Sequence, residues 1–321
     1  MSFSNRSAVL CLGGGGARGL AHLGAVEALQ SAGIVVERYV GVSSGSLAGA
    51  LCAITPDISH VQGNVLRFLS SAQFQRRQAA LFSTATPLEG PTVSGLFRWY
   101  GQIRQFLGAR HQLLQFFRKP ALMPGVLMQE LIAELLPDID ITDTQIPLSV
   151  VALDLLSGRR VVLERGRLRT ALLGSTAIPG VFPPVAMDGM LLCDVGVVDA
   201  IPTRVGRAHA RDLTVAVDVG GELRRTSHCR TAADVFLRIS NVSEHLFRDY
   251  SRDLADLVIQ PDVAETPWFD CTDARGLIDA GRAAAVLALC SADLNRVSAG
   301  RRIPEFPDAG LRTPVVACPE I

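Results

Sequence analysis

The sequence predicts an α/β fold whose central sheet is mainly parallel. A short apolar run, Ala8–Leu12, is typical of a strand that is buried on both faces. Gly13–Gly16 end this run, and a helix is expected over Ala17–Ser31. A second apolar run, Ile34–Val42, passes through a glycine-flanked turn into a further helical segment, Ser46–Ile54. Such an alternation of strands and helices is typical of parallel sheets.

The remaining elements extend this pattern. Further strands are expected at 147–154, 160–163, 183–187, 190–194, 213–219 and 257–260, and further helices at 167–176, 231–250 and 273–298. Asp188-Gly189 is a good two-residue hairpin turn between two of the strands. Residues 57–135 are expected to be mainly helical and irregular. We predict a main domain over 8–208, a C-terminal extension over 209–300 that packs on the same fold, and an irregular tail over 301–321.

Composition argues against several classes of protein. Lys plus Arg and Asp plus Glu both number 31, so the formal net charge is zero, which disfavours a nucleic acid as the main partner. With 48% hydrophobic and 19% charged residues, the chain has enough apolar side chains to form a core. None of the seven cysteines forms a C-x-x-C pair, so neither a zinc site nor a disulfide framework is indicated. A reduced, cytoplasmic setting is therefore expected.

Membrane contact is expected at a surface rather than across a bilayer. Two uncharged windows, 39–56 and 170–187, are interrupted by serines and glycines or by prolines, which does not suit a spanning helix. Residues 7–16 are apolar but lack a signal-peptide cleavage site. Residues 90–129 hold no acidic residue but several arginines and many large apolar side chains, a composition that suits peripheral contact with an anionic membrane. An ordinary helix pair covering the core explains that composition equally well.

The glycine-rich loop after the first strand has two interpretations. Its N–H groups, at the start of a helix, are suited to binding negative charge. Gly14-x-Gly16-x-x-Gly19 fits a dinucleotide-binding loop, and Glu37 stands near the end of the second apolar run, where a ribose-binding acid is expected. An NAD-binding oxidoreductase is therefore one interpretation. In the other, the loop is an oxyanion hole that stabilises the charge developing in acyl transfer.

The turn Gly41-Val42-Ser43-Ser44-Gly45 favours acyl transfer. It has the form G-x-S-x-G between a strand and a helix, which exposes a nucleophilic serine, here Ser43, on a sharp turn. The flanking glycines relieve crowding, and the Ser44 N–H is placed to join an oxyanion site. A nucleotide-binding strand has no need of such a turn. The competing interpretation of Ser43 is an ordinary helix N-cap.

A nucleophilic serine needs a base nearby. His209, His228 and His245 follow Ser43 in the chain, as the histidine of an α/β-hydrolase does, but none lies in a turn-rich strand end. His22 precedes the serine and is interpreted as a structural histidine of the first helix. We therefore expect a base other than histidine.

Four motifs, in this order, resemble those of a known family. They are G-G-G-A-R-G (14–19), G-V-S-S-G (41–45), S-T-A-I-P-G-V-F-P-P-V (175–185) and D-V-G-V-V-D-A-I-P (194–202). Together they resemble the patatin-like phospholipases, in particular bacterial members, over about residues 8–208. The resemblance implies a three-layer α/β/α fold and a lipid acyl hydrolase that acts on phospholipids or related lipid esters without a metal or cofactor.

The resemblance also implies site residues. The nucleophile maps to Ser43, and its base, the aspartate of a D-G-G or D-G-A motif, maps to Asp194. The oxyanion hole maps to Gly14, Gly15, Gly16 and Arg18, and the motif glycines are Gly19, Gly41, Gly45 and Gly196. The other aspartates receive structural interpretations: Asp188 in the hairpin turn, Asp199 in ordering the following loop, and Asp154 and Asp218 at strand ends.

One position departs from the family pattern. Val195 stands where the family has glycine directly after the aspartate. A β-branched residue does not readily adopt a backbone conformation reserved for glycine, so either this position has ordinary geometry or Asp194 is displaced. We expect ordinary geometry. Displacement would instead indicate a catalytically weak protein with a lipid-binding or regulatory role.

Overall fold

The computed structural model describes residues 6–76, 125–196, 198–221 and 232–292, together with residues 121, 123, 223, 225, 226, 229 and 230. The strands of these residues are β1 Ser7–Leu12, β2 Val35–Val42, β3 Leu148–Asp154, β4 Arg159–Leu163, β5 Val185–Met187, β6 Met190–Cys193, β7 Leu213–Val217 and β8 Leu257–Ile259. The α-helices are α1 Ala21–Ser31, α2 Ser44–Ile54, α3 Ile58–Leu69, α4 Val126–Leu135, α5 Leu168–Thr176, α6 Thr203–His209, α7 Ala232–Asp253 and α8 Ala274–Ser291. Short 3₁₀ helices cover Gly16–Leu20 and Ile141–Asp143.

These strands form one mostly parallel sheet, as the sequence predicts. β1 lies between β2 and β7 and is parallel to both, and the pairs β2–β3 and β7–β8 are parallel as well. β4 and β6 run antiparallel to β3, and β5 pairs with β6 in a hairpin. Asp188 and Gly189 turn this hairpin with φ values of 49° and 76°, the left-handed conformation that a D-G turn favours.

Helices cover both faces of the sheet, which gives three layers. Along β1, Leu10 and Leu12 face a large core with residues of α1, α2 and α8, whereas Val9 and Cys11 face a smaller core with Val205 of α6. Neighbouring side chains point to opposite sides of a strand, and a core covers each side of β1, so this central strand is buried on both faces. The α/β/α arrangement therefore agrees with the predicted fold.

The register of the parallel strands brings several loops to one edge of the sheet. Leu12, the last residue of β1, pairs with Gly41 of β2 and with Val217, the last residue of β7. The glycine loop after β1 and the serine turn after β2 therefore emerge side by side. Ligand sites of open parallel sheets lie at this carboxyl edge.

Of the two predictions about membranes, one can be compared with the structure. The windows 39–56 and 170–187 are each divided between a strand and a helix, so the interpretation that they do not span a membrane agrees with the structure. Within the described residues, no helix combines the length and the apolar character that crossing a membrane requires. The predicted membrane-contact segment, 90–129, lies largely outside the described residues, as do the end of the helix predicted at 273–298 and the tail from 301.

Candidate active site

Ser43 lies on a strained turn between β2 and α2. Its φ of 54° is in the left-handed region, which side chains with a Cβ atom rarely adopt. Its neighbours must be glycine, because a Cβ atom at Gly41 would lie 2.4 Å from the Ser46 Cα and one at Gly45 would lie 2.1 Å from the Leu12 carbonyl oxygen. The Ser43 side chain makes no capping hydrogen bond to α2, which disfavours its interpretation as an ordinary N-cap.

Two further serines fix the backbone of this turn. The Ser43 N–H donates to the Ser175 hydroxyl over 3.0 Å, and that hydroxyl donates to the Val151 carbonyl over 2.7 Å. The Ser46 hydroxyl donates to the Ser43 carbonyl over 2.6 Å. Sequence reasoning missed Ser175, although it opens one of the four motifs. It is fully buried and ties the serine turn to β3.

Asp194 is brought to Ser43 by the end of β6. Its own N–H donates to the Ala177 carbonyl over 2.9 Å, and its buried carboxylate accepts a hydrogen bond from the Gly196 N–H over 2.7 Å. The Ser43 hydroxyl lies beside this carboxylate. Burial raises the pKa of Asp194 to about 6, against the lowering effects of the Ser43 hydroxyl and the Gly196 N–H. At neutral pH this carboxylate is ionised, yet it is a stronger base than a solvent-exposed one.

A buried ion network adds to the electrostatics of Asp194. On α7, the guanidinium of Arg248 donates to the Glu244 carboxylate over 3.0 and 3.1 Å, and it also pairs with Asp218 at the end of β7. All three side chains are almost completely buried. The charge of Glu244 contributes to the raised pKa of Asp194. Asp218 thus has the structural role that the sequence predicts.

Two N–H groups of the glycine loop donate hydrogen bonds within the protein. The Gly14 N–H donates to the Ala200 carbonyl over 2.9 Å, and the Gly15 N–H donates to the Ser44 hydroxyl over 3.0 Å. Arg18, in turn, is buried and donates through Nε to the Gly15 carbonyl over 3.1 Å. Gly14, Gly15 and Arg18 therefore hold the loop in place in this structure.

Gly16 and Ser44 border the same cavity as Ser43. Gly16 has a φ of 62°, and a Cβ atom there would come within 2.2 Å of the Trp268 carbonyl oxygen. Ser44 begins α2, and helix geometry leaves its N–H without an intrahelical acceptor. These two residues are the best placed of the predicted oxyanion set.

The cavity beside Ser43 has a volume of about 220 Å³. The walls that the described residues form are mostly apolar, and they include Leu23, Leu47, Leu51, Phe68, Leu131 and Phe182. Among the described residues, the hydroxyl-bearing side chains that border it are Ser43, Ser44 and Thr176. The Ser43 hydroxyl, which lies beside a buried carboxylate, therefore borders a space that suits a hydrocarbon chain.

The family follows from the matched part of the chain. A family model described as patatin-like phospholipase matches residues 10–206, which is more than half of the chain. The chain belongs to the patatin-like phospholipase family. All four motifs of the predicted resemblance lie within this match, and so do Ser43 and Asp194.

Similar proteins include members of the NTE family. An uncharacterised NTE family protein of Mycobacterium tuberculosis is 31% identical over 222 residues, 68% of this chain and 50% of that protein. Lysophospholipase NTE1 of Mycosarcoma maydis is 31% identical over 211 residues, 66% of this chain and 10% of that protein. The chain spans about half the length of the first relative and a small part of the second. Among solved structures, VipD from Legionella pneumophila aligns with 89% of this chain and 67% of that chain, at 15% identity and a TM-score of 0.44.

Histidines occupy structural positions in this patatin-like domain, as far as the structure describes them. His22 is completely buried and its Nε2–H donates to the Gly13 carbonyl over 2.8 Å, which braces the glycine loop. Burial lowers the pKa of His22 to about 4, so the ring is neutral at pH 7. His209 pairs with Glu164, and His245 lies near Asp249 on α7. His228 lies outside the described residues.

Two further aspartates have the structural roles that the sequence predicts. The carboxylate of Asp154 accepts the N–H groups of Leu156, Ser157 and Leu191, and so closes the turn after β3. These bonds and that from the Ser157 hydroxyl lower the pKa of Asp154. Asp199 pairs with Arg160 of β4 and so ties the loop that follows β6 to the sheet.

The dinucleotide interpretation of the glycine loop is wrong. Glu37 is the third residue of β2 and lies six residues before Ser43. At about 3.3 Å per residue it stands roughly 20 Å from the edge where the glycine loop emerges. Its neighbour Val36 pairs with Ala8, at the beginning of β1. The sequence spacing suggested a ribose-binding acid, but the parallel register places it at the opposite end of the strand.

Val195 has ordinary geometry. Among described residues other than glycine, positive φ occurs at Ser43 and Asp188, so Val195 does not adopt a conformation reserved for glycine. Its side chain is fully buried in the smaller core, in the same cluster as Val42 and Val151. The valine therefore fills space in the smaller core, and Asp194 still lies beside Ser43.

Val195→Gly is expected to change turnover of a lipid ester by less than about tenfold, because the valine does not displace the carboxylate. The same change is expected to lower the free energy of unfolding by about 2–4 kcal/mol, through the lost burial and the greater freedom of glycine. Urea denaturation and initial rates measure the two effects separately. Val198→Gly, at an exposed position, is the matched control and should cost much less stability. A gain in turnover far above tenfold would show that Val195 impairs the native site.

Proposed function

We propose that this protein is a serine acyl hydrolase that cleaves fatty-acyl ester bonds of phospholipids or related lipids, with Ser43 as nucleophile and Asp194 as base. The observation that carries the proposal is that the Ser43 hydroxyl, on a strained turn, lies beside the buried carboxylate of Asp194 and borders an apolar cavity. The name of the similar lysophospholipase from Mycosarcoma maydis supports a lipid ester as the substrate class.

The first half of the proposed reaction forms an acyl-enzyme. Asp194 accepts the hydroxyl proton while the Ser43 oxygen attacks the carbonyl carbon of the ester. The negative charge that develops on the carbonyl oxygen is stabilised by the N–H groups of Gly16 and Ser44 and by the positive end of the α2 dipole. When the tetrahedral intermediate collapses, the bond to the alcohol breaks, and the alcohol leaves with the proton held by Asp194.

The second half releases the fatty acid. A water molecule gives a proton to Asp194 and attacks the acyl carbon from the side that the alcohol has left. The bond to Ser43 breaks, its oxygen recovers the proton from Asp194, and the free acid leaves. One water is consumed, and the serine and the carboxylate return to their starting states. The strained backbone of Ser43 holds the attacking oxygen in position through both halves.

In this proposal the acyl chain occupies the apolar cavity between α2, α3 and α4. Burial of each methylene in such a space contributes about 0.8 kcal/mol, so affinity is expected to come mainly from the acyl chain. A membrane surface would deliver such a substrate, and peripheral membrane contact through residues 90–129 stays a prediction.

Covalent labelling tests the proposal. A fluorophosphonate probe should add to the wild-type protein in a one-to-one ratio, and peptide mapping should place the adduct on Ser43. Ser43→Ala should abolish labelling, whereas Ser59→Ala, which removes an exposed hydroxyl at the start of α3, should not affect it. Wild-type protein that binds lipid vesicles but is not labelled would contradict the hydrolase and would support a lipid-binding or regulatory role.

A further inference from the structure

A second cavity lies beside the apolar cavity that Ser43 faces. It has a volume of about 750 Å³ and is bordered by Leu66, Ala274 and several polar residues at the start of α8. Of the residues that the structure describes, three border both cavities, and we call them the shared wall: Leu69, Phe269 and Cys271. The shared wall lies between the apolar cavity beside Ser43 and the larger second cavity.

The part of the wall that comes from the segment between β8 and α8 is firmly held. The Trp268 carbonyl accepts the Ala17 N–H over 2.5 Å, next to the glycine loop. The rings of Trp268 and Phe269 pack edge to face with centroids 5.7 Å apart. On the other side, Asp270 accepts the Thr272 N–H, and Asp273 caps α8. Phe269 is thus fixed between two anchored ends.

This segment comes from outside the part of the chain that matches the family, residues 10–206. Its position gives it a direct effect on the space left for an acyl chain. The cavity beside Ser43 has a volume of about 220 Å³ and the second cavity one of about 750 Å³, so the side chain at position 269 affects how much space a long chain finds beyond the first cavity.

We infer that Phe269 determines the acyl-chain length that this protein accepts, by closing the cavity beside Ser43 against the second cavity. The inference rests on the proposed function for the meaning of the cavity, but it concerns binding of a hydrocarbon chain and is measurable without turnover. Removal of the phenyl ring joins the two cavities, and chains that are too long for the first then extend along Leu66 and Ala274.

Hydrolysis of p-nitrophenyl esters from butyrate to palmitate tests this inference. Phe269→Ala should raise kcat/KM for laurate relative to butyrate by at least about tenfold, since each methylene that gains buried contact is worth about fourfold. Leu66→Ala is the matched control, because Leu66 borders the second cavity alone, and it should keep the wild-type ratio. Phe269→Leu, a milder change, should shift the ratio in the same direction and provides the test if the alanine variant does not fold.

Binding measurements separate this inference from the proposed function. In the Ser43→Ala background, calorimetric titration with octanoate and laurate should show the same shift towards the longer chain when Phe269→Ala is added. If this shift is found but the wild-type protein hydrolyses no ester, the proposed hydrolase function is contradicted. The role of Phe269 in selecting chain length is then still supported. If hydrolysis depends on Ser43 but neither Phe269 variant changes the chain-length preference, the role of Phe269 in determining chain length is contradicted.

Discussion

Ser43→Ala should reduce hydrolysis of the best lipid ester by at least about 10⁴-fold, the scale on which loss of a nucleophile acts in serine hydrolases. The hydroxyl is the reacting group in the proposed mechanism, and Asp194 has nothing to deprotonate without it. Fatty-acid release, measured by titration or mass spectrometry, gives the rate. Ser59→Ala serves again as the matched serine variant and should keep wild-type activity.

Stability measurements show whether such a loss comes from the hydroxyl or from a damaged fold. Ser43→Ala keeps a Cβ atom at a positive φ, so the strain stays and the free energy of unfolding should be close to that of the wild type. Ser43→Gly removes the Cβ atom and with it the strain. It should be equally inactive but more stable than the alanine variant, by about 1 kcal/mol after the entropic cost of glycine. An alanine variant with near-normal turnover would contradict the assignment of Ser43.

Local sequence patterns predicted the edge of the sheet at which the site lies. The apolar run before each loop identifies a buried strand, and parallel strands end at the same edge, so the glycine loop and Ser43 are expected to meet. The hairpin of β5 and β6 was equally predictable, because Asp188-Gly189 has a conformational preference of its own. These predictions succeed because the physical cause lies within a few residues of the chain.

Partners that are distant in the sequence could not be predicted in this way. Whether a loop N–H is free depends on what packs against it, and the N–H groups of Gly14 and Gly15 donate to Ala200 and Ser44. The role of Ser175 depends on the close approach of its helix to the serine turn, which no local pattern records. Its only signal was its place at the start of a motif. Glu37 shows the opposite error, since its spacing fitted a motif but the strand register did not.

Asp194→Asn should lower kcat/KM by at least about 10²-fold, because the amide keeps the shape of the carboxylate but does not accept the proton of the serine. Asp188→Asn is the matched control: it makes the same change in the other Asp-Gly pair of this region, at an exposed turn position that asparagine tolerates. That variant should keep wild-type turnover. Substantial activity in Asp194→Asn, with a loss in His209→Ala or His245→Ala instead, would indicate a serine–histidine arrangement.

The pH profile identifies the base independently. With the pKa of Asp194 raised by burial to about 6, the carboxylate is ionised and active above that pH. The kcat/KM of the wild type should therefore fall about tenfold per pH unit below pH 6, and the residual activity of Asp194→Asn should lack this limb. A wild-type profile that stays flat down to pH 5 would contradict Asp194 as the base.

As pH rises, the contribution of Asp194 to the stability of the wild type should fall while the activity of the wild type rises. Because the folded-state pKa of Asp194 lies above the unfolded value of about 3.9, the folded protein binds the proton more tightly, and this group's contribution to stability decreases as pH rises from about 4 to 6. Asparagine does not ionise, so the stability of Asp194→Asn relative to wild type should increase by about 2 kcal/mol between pH 4.5 and pH 8, measured by urea denaturation. A variant that loses turnover while gaining relative stability has lost a proton acceptor, because damage to the fold would lower both quantities together.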